Sequence, residues 1–161
     1  MGVEIERKFL VKDNSWMQGA KGKLYCQGYL SREKERTVRV RRVEDEAFLT
    51  IKGGSDGPSR LEYEYAIPLA DGQELLDNLC QQPLIEKVRY RVPYAEMVWE
   101  VDEFRGANTG LVVAEIELIS PEQEILRPPW LGEEVTGDSR YYNSSLVVRP
   151  YTSKLFTQHT P

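Results

Sequence analysis

The sequence predicts a mainly β protein of the α+β kind, an eight-stranded antiparallel sheet closed into a barrel, or tunnel, with a few covering helices. Three observations carry this expectation. Eight segments alternate side chains with a period of two, only short intervals between them have helical character, and most of the strand-like segments place charges of one sign on alternate positions. A sheet of that size with few helices between its strands tends to curl and close.

The first segment, Val3 to Val11, puts Glu4, Glu6 and Lys8 on one face and Val3, Ile5, Phe9 and Val11 on the other. Residues 13–22 read as a loop or short helical turn with Ser15 as a cap and Trp16 as an anchor. Leu24 to Leu30 is strand-like and carries Tyr29, and the polar run Ser31 to Glu35 reads as an exposed connection. Thr37 to Val43 alternates Arg39 and Arg41 with Val38 and Val40, and Ala47 to Lys52 pairs with it as a hairpin. Gly53 to Pro58 has the composition of a mobile loop. Beyond it, Glu62 and Glu64 alternate with Leu61, Tyr63, Tyr65 and Ile67.

Asp71 to Gln82 is the best helix, capped by Asp71, striped by Leu75, Leu76 and Leu79, and stopped before Pro83. Strands resume at Glu86 to Val92, with Lys87, Arg89 and Arg91 on one face. Met97 to Arg105 carries Glu100 and Asp102, and Gly110 to Ile119 carries Glu115 and Glu117. Ser120-Pro121-Glu122-Gln123-Glu124 has the pattern of a helix start, serine cap and proline at the first helical position, with a stop near Pro128-Pro129. Trp130 to Asp138 reads as a loop and Tyr141 to Val148 as a short helix. Residues 1–150 then form a single domain, with 151–161 as a C-terminal tail.

The 161 residues can bury a real core, and 40% hydrophobic with 29% charged content describes a globular protein. No apolar run approaches the roughly 20 residues of a membrane helix, and the acidic N-terminus lacks a signal-peptide core, so a cytoplasmic location is expected. Cys26 and Cys80 lack zinc-site spacing and are expected as reduced packing thiols. A net charge of −5 argues against nucleic-acid binding by bulk electrostatics.

The charged faces acquire meaning together. If they point into a barrel, its lumen has acidic and basic walls, and charges removed from water cost several kcal/mol each unless paired or liganded. Carboxylates without histidine or cysteine are hard oxygen donors suited to Mg²⁺ or Mn²⁺. Guanidinium and ammonium groups suit phosphate oxygens. Both together describe a metal-bound polyphosphate. The competing reading is a solvent-facing sheet surface with cross-strand ion pairs, each worth only a fraction of a kcal/mol.

The opening E-x-E-x-K of Glu4, Glu6 and Lys8 resembles that of the CYTH domain proteins, or triphosphate tunnel metalloenzymes. The resemblance continues through Arg39-x-Arg41, Thr50-x-Lys52, Glu62-x-Glu64, Lys87-x-Arg89, Glu100-x-Asp102 and Glu115-x-Glu117, in order, up to about Pro150. It implies a tunnel barrel that binds a triphosphate with Mg²⁺ or Mn²⁺. Carried over, Glu4, Glu6, Glu115 and Glu117, joined by Glu62, Glu64 and Asp102, are the metal-site candidates. Lys8, Arg39, Arg41, Lys52, Lys87 and Arg89 are the triphosphate clamp, with Arg140 as a further substrate contact.

Activities in such a family span hydrolysis of inorganic tripolyphosphate, nucleoside triphosphates, thiamine triphosphate or RNA 5′ triphosphate ends, and cyclisation of ATP. The compact length resembles the short bacterial members and leaves little sequence for base or RNA recognition. Hydrolysis of tripolyphosphate to pyrophosphate and phosphate is therefore the first expectation. The alternatives are a nucleoside or thiamine triphosphatase, a class IV-type adenylyl cyclase, or a non-catalytic polyphosphate-binding module. The expected partner is a small-molecule triphosphate, without nucleic acid or membrane, and a homodimer is left open. The lone His159 lies far from the pattern, whereas Tyr29 with Lys8 is a candidate catalytic pair, in which the ammonium lowers the Tyr29 pKa or the two share a proton.

Overall fold

A computed structural model describes residues 2–56 and 58–157. Eight strands build the barrel: β1 (Val3–Val11), β2 (Gly22–Glu33), β3 (Arg36–Val43), β4 (Glu46–Asp56), β5 (Ser59–Ile67), β6 (Ile85–Tyr94), β7 (Met97–Phe104) and β8 (Val112–Glu117). Their order is β5-β4-β3-β2-β6-β7-β8-β1, every neighbouring pair is antiparallel, and β5 returns to pair with β1, Val3 opposite Leu61. Closure satisfies the backbone groups that an open sheet would leave along its edges. A short ninth strand, β9 (Leu131–Glu134), continues along β1 past the end of that pairing, with Val11 opposite Leu131.

Period-two alternation now has a fixed sense. The outward apolar faces of β1, β6, β7 and β8 bury Phe9, Val92, Trp99, Val101, Ala114 and Ile116. Trp16 and the segment leading to Trp130 cover them, and the rings of Trp99 and Trp130 meet edge to face at 5.8 Å. A second cluster lies under helix α1 (Leu69–Asn78), where Leu76 and Cys80 pack on Val40. The third occupies one end of the barrel, where Tyr29, Ile85, Phe104 and Val113 meet Tyr141, Leu146, Val147 and Phe156. The C-terminal region thus plugs that end, and both cysteines are free thiols, as expected.

Several expectations change. Asp71 does not cap α1: the helix begins at Leu69 after Pro68, and Asp71 sits in its first turn, where a negative charge favours the helix dipole. Ser15 is not a cap either, since the Asp13 carboxylate accepts from both its N–H and its hydroxyl at 2.9 and 2.6 Å. The run from Ser120 forms a turn without a helix. Its Gln123 side chain accepts from Ile119 N–H, and Ile125 and Trp130 are drawn onto the outer core. Trp130 to Asp138 contains β9 rather than a plain loop. Likewise β4 runs to Asp56 and β5 starts at Ser59 where a loop was expected, with Gly57 outside the described residues. Tyr141 to Val148 divides into a 3₁₀ turn, Ser139–Tyr141, and helix α2, Asn143–Leu146. Within the expected tail, residues 154–157 form a 3₁₀ turn that buries Phe156, and His159 lies outside the described residues.

Candidate active site

The charged faces point inward. A cavity of about 160 Å³ is lined by Glu4, Glu6, Lys8, Tyr29, Arg39, Arg41, Lys52, Glu62, Glu64, Lys87, Arg89, Glu115 and Glu117. The order of strands around the barrel sorts these charges in a way that their order along the chain hides. Neighbours β7, β8, β1 and β5 carry Glu100, Glu115, Glu117, Glu4, Glu6, Glu62 and Glu64. Neighbours β4, β3, β2 and β6 carry Lys52, Arg39, Arg41, Lys87 and Arg89. One acidic arc faces one basic arc, with two cations on the acidic side: Lys8 on β1, and Arg60 on β5, which donates from Nε and Nη2 to the Gly53 carbonyl oxygen at 3.2 and 2.9 Å.

Ion pairs across the arcs, and one within the acidic arc, hold the cations. Lys52 lies 2.8 Å from Glu4 and 3.3 Å from Glu62, Lys8 lies 3.7 Å from Glu115, and Arg39 lies 3.7 Å from Glu64. Burial works to lower the Lys8 pKa, yet the Glu115 and Glu6 carboxylates outweigh it and raise it. Burial likewise works to raise Glu115, but Lys8 and Arg89 hold it down at about 2. Glu6 and Glu117 stand directly opposite each other on β1 and β8, and neither has a cation within ion-pair distance among the described residues. Burial and repulsion from Glu115 and Glu4 push Glu6 up to about 8, and burial with Glu100 raises Glu117. Like charges opposed in a cross-strand pair are unfavourable unless a cation lies between them.

Two predicted site residues are placed elsewhere. Asp102, expected at the metal, lies beneath the lining, wholly buried, and accepts from Arg89 Nε and Nη2 at 2.7 and 2.8 Å and from Lys87 Nζ at 2.8 Å. Burial opposes its ionisation, but these cations hold its carboxyl well below the usual range. Both its oxygens are engaged by two cations, and Glu100 is the acid of that pair that reaches the lumen. Arg140, expected at substrate, is not in the lining. It forks onto Asp138 with contacts of 2.7 to 3.3 Å, and its guanidinium covers the Tyr141 and Phe156 rings. Tyr29 and Lys8 line the same cavity and Tyr29 contributes to raising the Lys8 pKa, but no hydrogen bond joins them among the described residues. Tyr29 packs into the plugged end, while Lys8 Nζ donates to the Tyr141 carbonyl oxygen at 3.4 Å and faces the Tyr142 ring.

Residues that the charge pattern did not single out also line the lumen, among them Arg60, Thr37, Tyr142 and Asn143. Tyr142 and Asn143 come from the plug, outside any alternating strand, so no periodicity signals them. Oxygen donors for a hard divalent cation are available from Glu4, Glu6, Glu115 and Glu117, although no group of three converges as a ready-made cage among the described residues. Such partial cages suit a magnesium-like ion that keeps waters and takes further ligands from phosphate oxygens.

A closed barrel whose lumen opposes carboxylates to arginines and lysines defines a class of protein built around a charge-lined tunnel. Comparison with known sequences gives the family: the CYTH domain model matches residues 2–151, and the chain belongs to the CYTH domain family. It is 52% identical over 151 residues to an inorganic triphosphatase of Acetivibrio thermocellus, covering 94% of this chain and 97% of that protein. It is 36% identical to an inorganic triphosphatase of Nitrosomonas europaea, covering 91% and 97%. Among solved structures, the inorganic triphosphatase NE1496 superposes with a TM-score of 0.63 at 32% identity, covering 89% of this chain and 97% of that one.

Proposed function

We propose that this chain hydrolyses inorganic tripolyphosphate to pyrophosphate and phosphate with Mg²⁺ or Mn²⁺. The observation that carries the reading is the contiguous basic arc facing a contiguous acidic arc inside one closed lumen. The similarity to two inorganic triphosphatases across nearly their whole length supports it. Lys8, Arg39, Arg41, Lys52, Lys87 and Arg89 bind the phosphate chain and offset charge on its non-bridging oxygens as the anhydride bond breaks. Glu4, Glu6, Glu115 and Glu117 would hold the metal, with Glu62 and Glu64 flanking. When bound, the metal supplies Lewis-acid polarisation of the phosphoryl group and a more acidic water. One water adds to phosphorus, the phosphoric anhydride P–O bond breaks, pyrophosphate leaves, and the water's proton passes to solvent or a phosphate oxygen.

Lys8, a cation on the acidic arc paired with Glu115, would bridge the phosphate and the carboxylates. Asp102 orients Arg89 and Lys87 from beneath the basic arc. The same reading places the protein in the cytoplasm, acting on a small molecule, with no nucleic-acid or membrane partner; no helix among the described residues is long and apolar enough to cross a membrane.

Phosphate release from tripolyphosphate, ATP, GTP and thiamine triphosphate, each with Mg²⁺ and Mn²⁺, tests the proposal. Tripolyphosphate is expected to be the fastest substrate, with turnover abolished by chelation and by Glu117→Gln. Full activity in Glu117→Gln sinks the metal assignment. Preference for a nucleotide or thiamine triphosphate overturns the substrate, a cyclic product from ATP marks a cyclase, and tight binding without product marks a sensor.

A further inference from the structure

Every cation of the basic arc except one has a carboxylate within ion-pair distance among the described residues. The exception is Arg41, whose Nε donates to Gln27 Oε1 at 3.0 Å. Gln27 is completely buried, and its own Nε2 donates to Asn143 Oδ1 at 3.1 Å. That same oxygen accepts from Lys87 Nζ at 3.0 Å. The chain Arg41→Gln27→Asn143←Lys87 has a donor-only cation at each end, and this fixes the orientation of both amides. Oε1 must face the guanidinium and Oδ1 must face the ammonium, so Gln27 Nε2 has Asn143 Oδ1 as its acceptor.

The consequence is electrostatic. A buried guanidinium is ordinarily neutralised by an acid, as Asp102 does for Arg89. Here a neutral amide fixes the Arg41 side chain through Nε alone, and stacking over the Tyr25 ring, 5.0 Å from the guanidinium carbon, sets its plane. Position is fixed while charge is left uncompensated, which suits a cation whose counterion arrives with the substrate. We propose that Gln27 and Asn143 are positioning residues of the triphosphate site, a neutral relay that ties the C-terminal plug to the basic arc and reserves the charge of Arg41 for a phosphate.

The inference rests on the proposed triphosphatase reading, and wild-type turnover of tripolyphosphate tests that reading separately. The relay is tested by Gln27→Glu, which keeps size and shape but gives Arg41 a resident anion, measured by kcat and KM for tripolyphosphate with Mg²⁺ and by thermal unfolding. The expected result is a KM raised about tenfold or more, kcat within about threefold, and an unfolding midpoint equal to or above wild type. A structural amide predicts the reverse, loss of midpoint with KM unchanged, and that result overturns the proposal. Asn143→Asp, at the half-buried end of the relay, keeps the acceptor for Lys87 and Gln27 while adding charge, and is expected to raise KM without lowering the midpoint. Unchanged KM in both variants, or failure of both to fold, overturns it as well. If the wild type binds tripolyphosphate without turnover, the same comparison is made on the dissociation constant by calorimetry.

Discussion

Replacing Asp102 by asparagine removes the anion that Lys87 and Arg89 share. The carboxylate accepts from Arg89 Nε, Arg89 Nη2 and Lys87 Nζ, all at 2.7 to 2.8 Å, with no exposure to solvent. The amide keeps one acceptor oxygen and turns two donor hydrogens toward cations that have no use for them. Removing one partner of a buried pair destabilises by about 3 to 5 kcal/mol, because the charge left behind stays desolvated. For a domain of this size each kcal/mol moves the unfolding midpoint by about 2 to 4 °C, so a fall of about 10 °C is expected by calorimetry at neutral pH. Tripolyphosphate, by supplying anionic oxygens to Lys87 and Arg89, is expected to recover more of the midpoint in the variant than in the wild type. A midpoint within about 2 °C of wild type, with metal dependence of activity altered instead, would refute the reasoning and return Asp102 to the metal site.

Lys87 gives a pH prediction: burial, with Arg89 and Arg41 nearby, pushes its ammonium down to about 7 against the opposing pull of Asp102. The unfolded chain then binds the extra proton between pH 7 and about 10, so this group makes stability rise with pH across that window, and Lys87→Met is expected to flatten the rise in urea midpoints. Phe9→Ala, which empties a fully buried site against Trp99, is expected to cost about 3 to 5 kcal/mol in urea unfolding. Phe156→Ala loosens the plug at the end of the barrel, and is expected to cost about 3 kcal/mol of unfolding free energy in the same assay. Removing Mg²⁺ with chelator is expected to leave the fold intact by circular dichroism while stopping phosphate release, since the barrel core lies outside the charged lumen.

The strands were legible because alternation is a local property: a residue's face follows from its neighbours two positions away. Glu4, Glu6, Arg39, Arg41, Lys87 and Arg89 could therefore be set on common faces before any contact was known. Caps and turns were less legible. Ser120-Pro121 carries the local signature of a helix, yet Ile125 and Trp130 gain more from lying extended across the outer core, and Pro128-Pro129 leaves too few residues for a stable helix. The expected loop after Lys52 is strand to Asp56 because pairing with β5 resumes beyond a bulge, Ser55 opposite Arg60.

The sequence by itself determined which side chains share a face, that most of those faces carry charges of one sign, and that the donors are oxygen, ammonium and guanidinium rather than sulfur or imidazole. Only the tertiary structure decided the sense of the faces and their order around the lumen. Closure of β5 onto β1 joins Glu62 and Glu64 to Glu4 and Glu6, and the crossing from β2 to β6 sets Arg39 and Arg41 near Lys87 and Arg89. It also separated Glu100 from Asp102, identical in pattern but different in depth, one in the lumen and the other engaged beneath it by two cations. Depth along a barrel axis and pairing across a closure are non-local quantities, set by register and shear, and a period of two carries no information about either.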